Sequence, residues 1–118
     1  MVQTKPHIAQ LLLDLSGYTT ARDLTRLRLL EPSCGQGTFL AQAVPRLLQV
    51  AQRLGCEPAQ LGPCITAYDI EPEHVHHCQQ RLTTLLREMK GHARKRDVQA
   101  YYAANLAFHW AVVEAADN

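Results

Sequence analysis

Apolar positions along the chain change their period several times, and each change marks an element. Ile8, Leu11, Leu12 and Leu15 recur at three- and four-residue spacing, which predicts a first helix with one apolar stripe. Thr4-Lys5-Pro6 opens it, because threonine can cap and proline is tolerated in a first turn, and Gly17 stops it. Thr19 or Thr20 is expected to cap a short turn through Ala21 to Leu24. Leu27 to Glu31 reads as a buried strand that ends at an acid and a proline. A loop with two glycines follows, and then a helix from about Thr38 to Leu54, with Phe39, Leu40, Ala43, Leu47, Leu48, Val50, Ala51 and Leu54 as its apolar positions. Pro45 lies inside that helix and is expected to kink or divide it, and Gly55 ends it.

The second half repeats the pattern. Glu57 to Pro63 reads as a loop with one helical turn. Cys64 to Ile70 is a second strand, stopped at Glu71-Pro72. Glu73 to Met89 is a helix with Val75, Cys78, Leu82, Leu85 and Leu86 on one side, ended by Gly91. Val98 to Ala116 is rich in alanine and has no glycine or proline; propensity favours helix there, with a third strand around Ala111 to Glu114 as the alternative. Strands alternating with helices predict an α/β domain with a short parallel sheet. The chain of 118 residues suffices for one such domain. It divides into a helical segment over 1–26, a βαβα core over 27–97 and a helical tail over 98–118.

Composition narrows the function classes. The chain is 47% apolar and 19% charged, which reads as globular, and a net charge of +1 offers no whole-chain attraction for nucleic acid. Arg87, Lys90, Arg94, Lys95 and Arg96 form a local basic run, read as a solvated helix end before a phosphate contact. Cys34, Cys56, Cys64 and Cys78 contain no Cys-x-x-Cys pair, so zinc and redox motifs are disfavoured and a reducing cytoplasm is the expected compartment. No apolar run approaches the roughly 20 residues of a membrane helix, so no membrane partner is expected. His74, His76, His77 and Cys78 resemble a ligand cluster, but one helical turn cannot complete a metal site, and a surface helix is the better reading. Tyr101, Tyr102, Phe108 and Trp110 are assigned to packing before base stacking.

Candidate chemistry gathers at the ends of the two strands. Glu31 precedes Gly35-Gln36-Gly37, where bare backbone could lie against a ligand. Asp69 and Glu71 end the second strand, where a carboxylate can accept from both ribose hydroxyls and Ile70 can cover a ring. Leu40 stands where a dinucleotide fingerprint has its third glycine, and Asp69 follows about 30 residues after the loop against roughly 20 in that fingerprint. There is no Gly-Lys-Ser/Thr phosphate loop either. Ribose and adenine without phosphate fit these negatives.

Glu31-Pro32-Ser33-Cys34-Gly35-Gln36-Gly37-Thr38-Phe39-Leu40 resembles the cofactor motif of the DNA adenine-N6 methyltransferases, above all those of type I and type IIG restriction-modification systems. Ala67-Tyr68-Asp69-Ile70-Glu71-Pro72 resembles their second motif, and Thr4-Lys5-Pro6-His7-Ile8-Ala9 their Thr-Pro-Pro segment, with Lys5 in place of the first proline. The resemblance implies a truncated, Rossmann-like class I fold that binds S-adenosyl-L-methionine. By this resemblance Thr4 contacts the cofactor carboxylate and Glu31 its amino group. The backbone at Ser33, Cys34, Gly35 and Gly37 lines methionine and ribose, Asp69 holds the ribose hydroxyls, and Ile70 packs on adenine. The family's Asn/Asp-Pro-Pro-aromatic motif, which holds the flipped base, is absent: no Pro-Pro pair occurs in this chain, so no catalytic residue is assigned. The third-strand acid is represented only by the weak candidates Asp97 and Asn105.

The expectation is therefore the cofactor-binding part of such a methyltransferase, inactive alone, with DNA as the partner of the full-length enzyme. The rival is a non-catalytic interaction module that dimerises through its C-terminal segment. A methyltransferase acting on a small molecule, RNA or protein is the third reading.

Overall fold

The computed structural model describes residues 4–31, 35, 37–88 and 108–112. Helix α1 spans Pro6–Ser16, β1 Leu29–Glu31, α2 Thr38–Leu54, β2 Ile65–Asp69, α3 Pro72–Glu88 and β3 His109–Val112. Short 3-10 turns occupy Leu24–Arg26 and Pro58–Cys64. The sheet is three-stranded and parallel, in the order β1-β2-β3. Leu29 lies beside Ile65 and Glu31 beside Ala67; Thr66 lies beside His109 and Asp69 beside Val112. Because the strands are parallel, Glu31 and Asp69 end on the same edge of the sheet, and β2 runs two residues beyond β1.

Glycines punctuate the helices as expected. Gly17 and Gly55 both adopt positive φ, and the amide after each turns back to a carbonyl five residues earlier (Tyr18 to Leu13, 2.9 Å; Cys56 to Ala51, 2.9 Å). Lys5, not Thr4, is the N-cap of α1, with Pro6 at its first position and no side-chain cap. The turn before β1 is capped by Asp23, which accepts from the Thr25 amide at 3.0 Å, and not by Thr19 or Thr20. α2 runs unbroken through Pro45. Proline has no N–H to donate within the helix, and the fully buried Val44, Leu47 and Leu48 beside it hold the helix together. The predicted core positions of α2 are buried at Leu40, Ala43, Leu47, Leu48, Val50 and Ala51; Phe39 is half-buried and Leu54 exposed. α3 buries Val75, Cys78 and Leu82 as the periodicity indicated; the Leu86 side chain lies outside the described residues.

Further expectations are corrected. The helix favoured over Val98 to Ala116 gives way to a strand at His109–Val112, close to the alternative weighed for that region. Alanine-rich propensity is a local preference, and pairing along β2 overrides it. The rest of that tail, with Tyr101, Tyr102, Asp97, Asn105 and the basic run beyond Arg87, lies outside the described residues. β1 is also shorter than expected and is not buried: Leu30 is 58% exposed.

Another correction concerns α1. Its predicted apolar stripe faces outward, with Ile8, Leu11 and Leu12 exposed and Leu15 75% exposed. The face against α2 is built from Ala9 and Leu13, both buried, together with polar anchors. Arg46 on α2 donates to Asp14 at 2.7 Å, to the Tyr18 carbonyl at 3.0 Å and to the Gln10 carbonyl at 3.4 Å, and Gln10 donates to Gln42 at 2.8 Å. At about 100° per residue, the arc from Ala9 to Asp14 and the stripe from Ile8 to Leu15 lie on opposite sides of the helix. Leu15→Gln is therefore expected to change unfolding free energy by less than about 0.5 kcal/mol in a urea titration. A loss of 2 kcal/mol or more would mean that the stripe is buried.

The core runs from Leu13, Tyr18 and Leu24 through α2 to Leu61, Ile65, Ala67, Val75, Cys78 and Phe108. The Tyr18 hydroxyl is buried without a hydrogen-bond partner among the described residues, and burial, reinforced by Cys64, raises its pKa well above the ordinary tyrosine value. Among the described residues, no helix is long and apolar enough to cross a membrane.

Candidate functional site

Asp69 closes β2 with its side chain on the buried face of the sheet, beside Ala67 and Ile65 in the alternating pattern of the strand. Only 5% of it is exposed. A buried carboxylate requires donors, and three converge on this one. The Gly35 amide donates to Oδ2 at 2.9 Å, the Glu71 amide donates to Oδ1 at 2.9 Å, and His74 Nδ1 lies 3.2 Å from Oδ1. Burial alone would raise the Asp69 pKa. The Glu71 amide, the Gly35 amide and His74 outweigh it, so the carboxyl is held below its ordinary range and ionised at neutral pH.

The Gly35 contact ties the loop after β1 to the end of β2. Gly35 and Gly37 both have positive φ, at 51° and 83°. A side chain at Gly35 would meet nothing within 4 Å among the described residues, so the loop presents open backbone toward them. At Gly37 the reverse holds: a Cβ would lie 2.9 Å from Cys78 Sγ and 3.5 Å from Cys78 Cα, because α3 passes directly beneath. Gly37 therefore sets how closely α2 and α3 approach. Arg81 of α3 donates to the Thr38 hydroxyl at 3.1 Å and closes the same junction from outside.

The remaining expected site residues are placed as follows. Glu31 is half-buried at the end of β1, on the same sheet edge as Asp69. Ile70 is 63% exposed immediately after Asp69, an apolar surface beside the carboxylate. Thr4 is exposed just ahead of α1. Ser33 and Cys34 lie outside the described residues. The sheet thus brings Glu31, Gly35, Gly37, Asp69 and Ile70 to one end.

Periodicity did not single out His74. It stood among His76, His77 and Cys78 on a helix read as surface, and those four do not converge: His76 and His77 are exposed, Cys78 is fully buried under Gly37, and His74 turns to Asp69. No group of metal-ligating side chains is assembled among the described residues. The one available signal was position, in the first turn of the helix that follows a strand-ending acid. A groove lined by Pro72, Glu73, His74, His76, His77 and Gln80 runs along the outside of α3, and it shares only His74 with the Asp69 cluster.

The chain as a whole is similar to proteins of known class. The chain is 40% identical over 89 residues to the type II methyltransferase M.BstVI of Geobacillus stearothermophilus, an overlap of 72% of this chain and 16% of the relative. It is 38% identical over 71 residues to the type II methyltransferase M.XhoI of Xanthomonas vasicola (57% and 13%). It is 32% identical over 110 residues to the type II methyltransferase M.PaeR7I of Pseudomonas aeruginosa (91% and 18%). Over most of its length the chain is similar to one part of type II methyltransferases. It spans less than a fifth of the length of each of these methyltransferases. No family model matches it, and no solved structure matches it significantly.

The residues present suit the cofactor that methyltransferases of this kind use. S-adenosylmethionine offers a cis-diol, an ammonium and an adenine ring but no phosphate. An ionised acid at a strand end, a second acid on the same edge, an exposed isoleucine and an open glycine backbone match that set of groups.

Proposed function

We propose that this chain is the S-adenosylmethionine-binding portion of a DNA adenine-N6 methyltransferase, with the Rossmann-like class I arrangement of that family. The observation that carries the reading is the Asp69 carboxylate, ionised and held against the Gly35 amide at the carboxyl edge of a parallel sheet. In this reading Asp69 accepts from the ribose hydroxyls, Ile70 covers the adenine, and Glu31 attracts the ammonium. Thr4 binds the carboxylate, and the backbone at Ser33, Cys34, Gly35 and Gly37 lines methionine and ribose. When bound, the cofactor supplies a methyl group activated by its sulfonium charge. The chain supplies position and orientation. DNA is the partner of the full-length enzyme. The chain carries no Asn/Asp-Pro-Pro-aromatic motif, so it is expected to transfer no methyl group by itself.

Titration calorimetry is expected to show saturable binding of S-adenosylmethionine at one site. No heat at millimolar cofactor sinks the reading. Incorporation of labelled methyl into DNA by the purified chain would refute its inactivity. The outward stripe of α1 and the exposed Leu30 favour a second reading, a non-catalytic interaction module. A stable dimer in light scattering together with no cofactor heat selects it.

A further inference from the structure

We propose that His74 is a built-in competitor for the ribose diol: it occupies an acceptor position of Asp69 that the ligand needs, and it is exchanged for a hydroxyl on binding. This rests on the cofactor reading above.

The inference follows from counting lone pairs. An ionised carboxylate offers about four acceptor positions, two on each oxygen. Oδ1 already accepts from the Glu71 amide and faces His74 Nδ1, while Oδ2 accepts from the Gly35 amide. Among the described residues about one position remains, on Oδ2. A cis-diol brings two hydroxyl donors, so one of the present donors must leave for both to bind the same carboxylate.

Geometry chooses which one. The Gly35 and Glu71 donors are main-chain amides, each at 2.9 Å, placed by the glycine loop and by the turn into α3. Releasing either would require the backbone to move. The third donor is the end of a side chain. It sits at the longest distance of the three, 3.2 Å, its side chain is 33% exposed, and it borders the open groove on α3. A rotation about its side-chain torsions frees Oδ1 and leaves the backbone in place. Until then, His74 gives the buried carboxylate the donor it would otherwise lack. His74 is thus a positioning residue for Asp69 in the free chain and a specificity element for a ligand with two adjacent hydroxyls. A ligand without the diol has no use for the position that His74 vacates.

The test compares wild type, His74→Ala and His74→Gln in calorimetry with S-adenosylmethionine. His74→Ala removes the competitor and is expected to bind about three- to tenfold more tightly, the scale of one hydrogen bond. His74→Gln keeps an N–H donor and is expected to stay near wild type. The gain should also appear for adenosine and vanish for 2′,3′-dideoxyadenosine. In histidine side-chain NMR, saturation with S-adenosylmethionine should move the His74 resonances and leave those of the exposed His76 and His77 in place. Saturable binding that His74→Ala leaves unchanged or weakens overturns the inference and leaves the cofactor reading standing. Absence of heat for all three proteins overturns both.

Discussion

Gly37→Ala is expected to destabilise the chain by about 2–5 kcal/mol, seen as a lower urea midpoint with an unchanged slope. Two costs add. Gly37 sits at φ 83°, where a side chain costs about 1–2 kcal/mol. The new methyl would also stand 2.9 Å from Cys78 Sγ and 3.5 Å from the α3 backbone, an overpacked contact that costs typically 1–3 kcal/mol. Cys78 is fully buried and packed within the core cluster. The two contributions separate in a double-mutant cycle: in a Cys78→Ala background the steric part should shrink while the backbone part persists. Gly35→Ala is the internal control. Its φ is 51° and nothing among the described residues lies within 4 Å, so the backbone cost of about 1–2 kcal/mol is the one expected. A Gly37→Ala chain within 0.5 kcal/mol of wild type would mean that α2 and α3 do not meet at that glycine.

Asp69→Asn is expected to lower affinity for S-adenosylmethionine by about 100-fold and to cost about 1–3 kcal/mol of stability at pH 7. The amide offers one acceptor oxygen where the carboxylate offers two. Its NH2 must then face either the Gly35 amide or the pair formed by the Glu71 amide and His74, donor against donor. The pH dependence gives a second reading of the same group. Burial pushes the Asp69 carboxyl up, but the amides of Glu71 and Gly35 and the His74 contact pull it further down, so its pKa in the fold lies below the ordinary value of about 3.9. A depressed carboxyl contributes stability above its unfolded pKa and loses it as pH falls through the folded one. The stability gap between wild type and Asp69→Asn should therefore hold from pH 7 to about pH 5 and narrow as the pH falls below the ordinary carboxyl value of about 3.9. A gap that stays constant on acidification would show that the carboxylate is not held by those donors.

Much of the site is readable from local chemistry. Gly17 and Gly55 end helices because positive φ is nearly free only for glycine. The run of Gly35, Gly37 and Asp69 identifies a loop and an acid on neighbouring strand ends because parallel βαβ units return each strand to the same edge. The partners of these groups are less legible. Nothing in the spacing says that the acid would be latched by Gly35, or that His74 and not His76 or His77 would reach it. Those contacts join residues five and 34 positions apart across two loops.

The element order from α1 to α3, the glycines that end α1 and α2, the glycine loop and the strand-ending acid follow from the amino-acid order, because each depends on backbone preferences or on apolar spacing within a few residues. Which side of α1 is buried, whether α2 survives Pro45, whether residues 109–112 extend or coil, and which donors fill Asp69 were decided in three dimensions. Periodicity locates an apolar stripe but carries no information about what lies opposite it. In α1 the Arg46 anchors and the close fit of Ala9 and Leu13 against α2 face the core, and four other apolar side chains face away. In β3 the alanine-rich segment exchanges its local hydrogen bonds for a parallel ladder on β2, a partner that only the folded sheet provides.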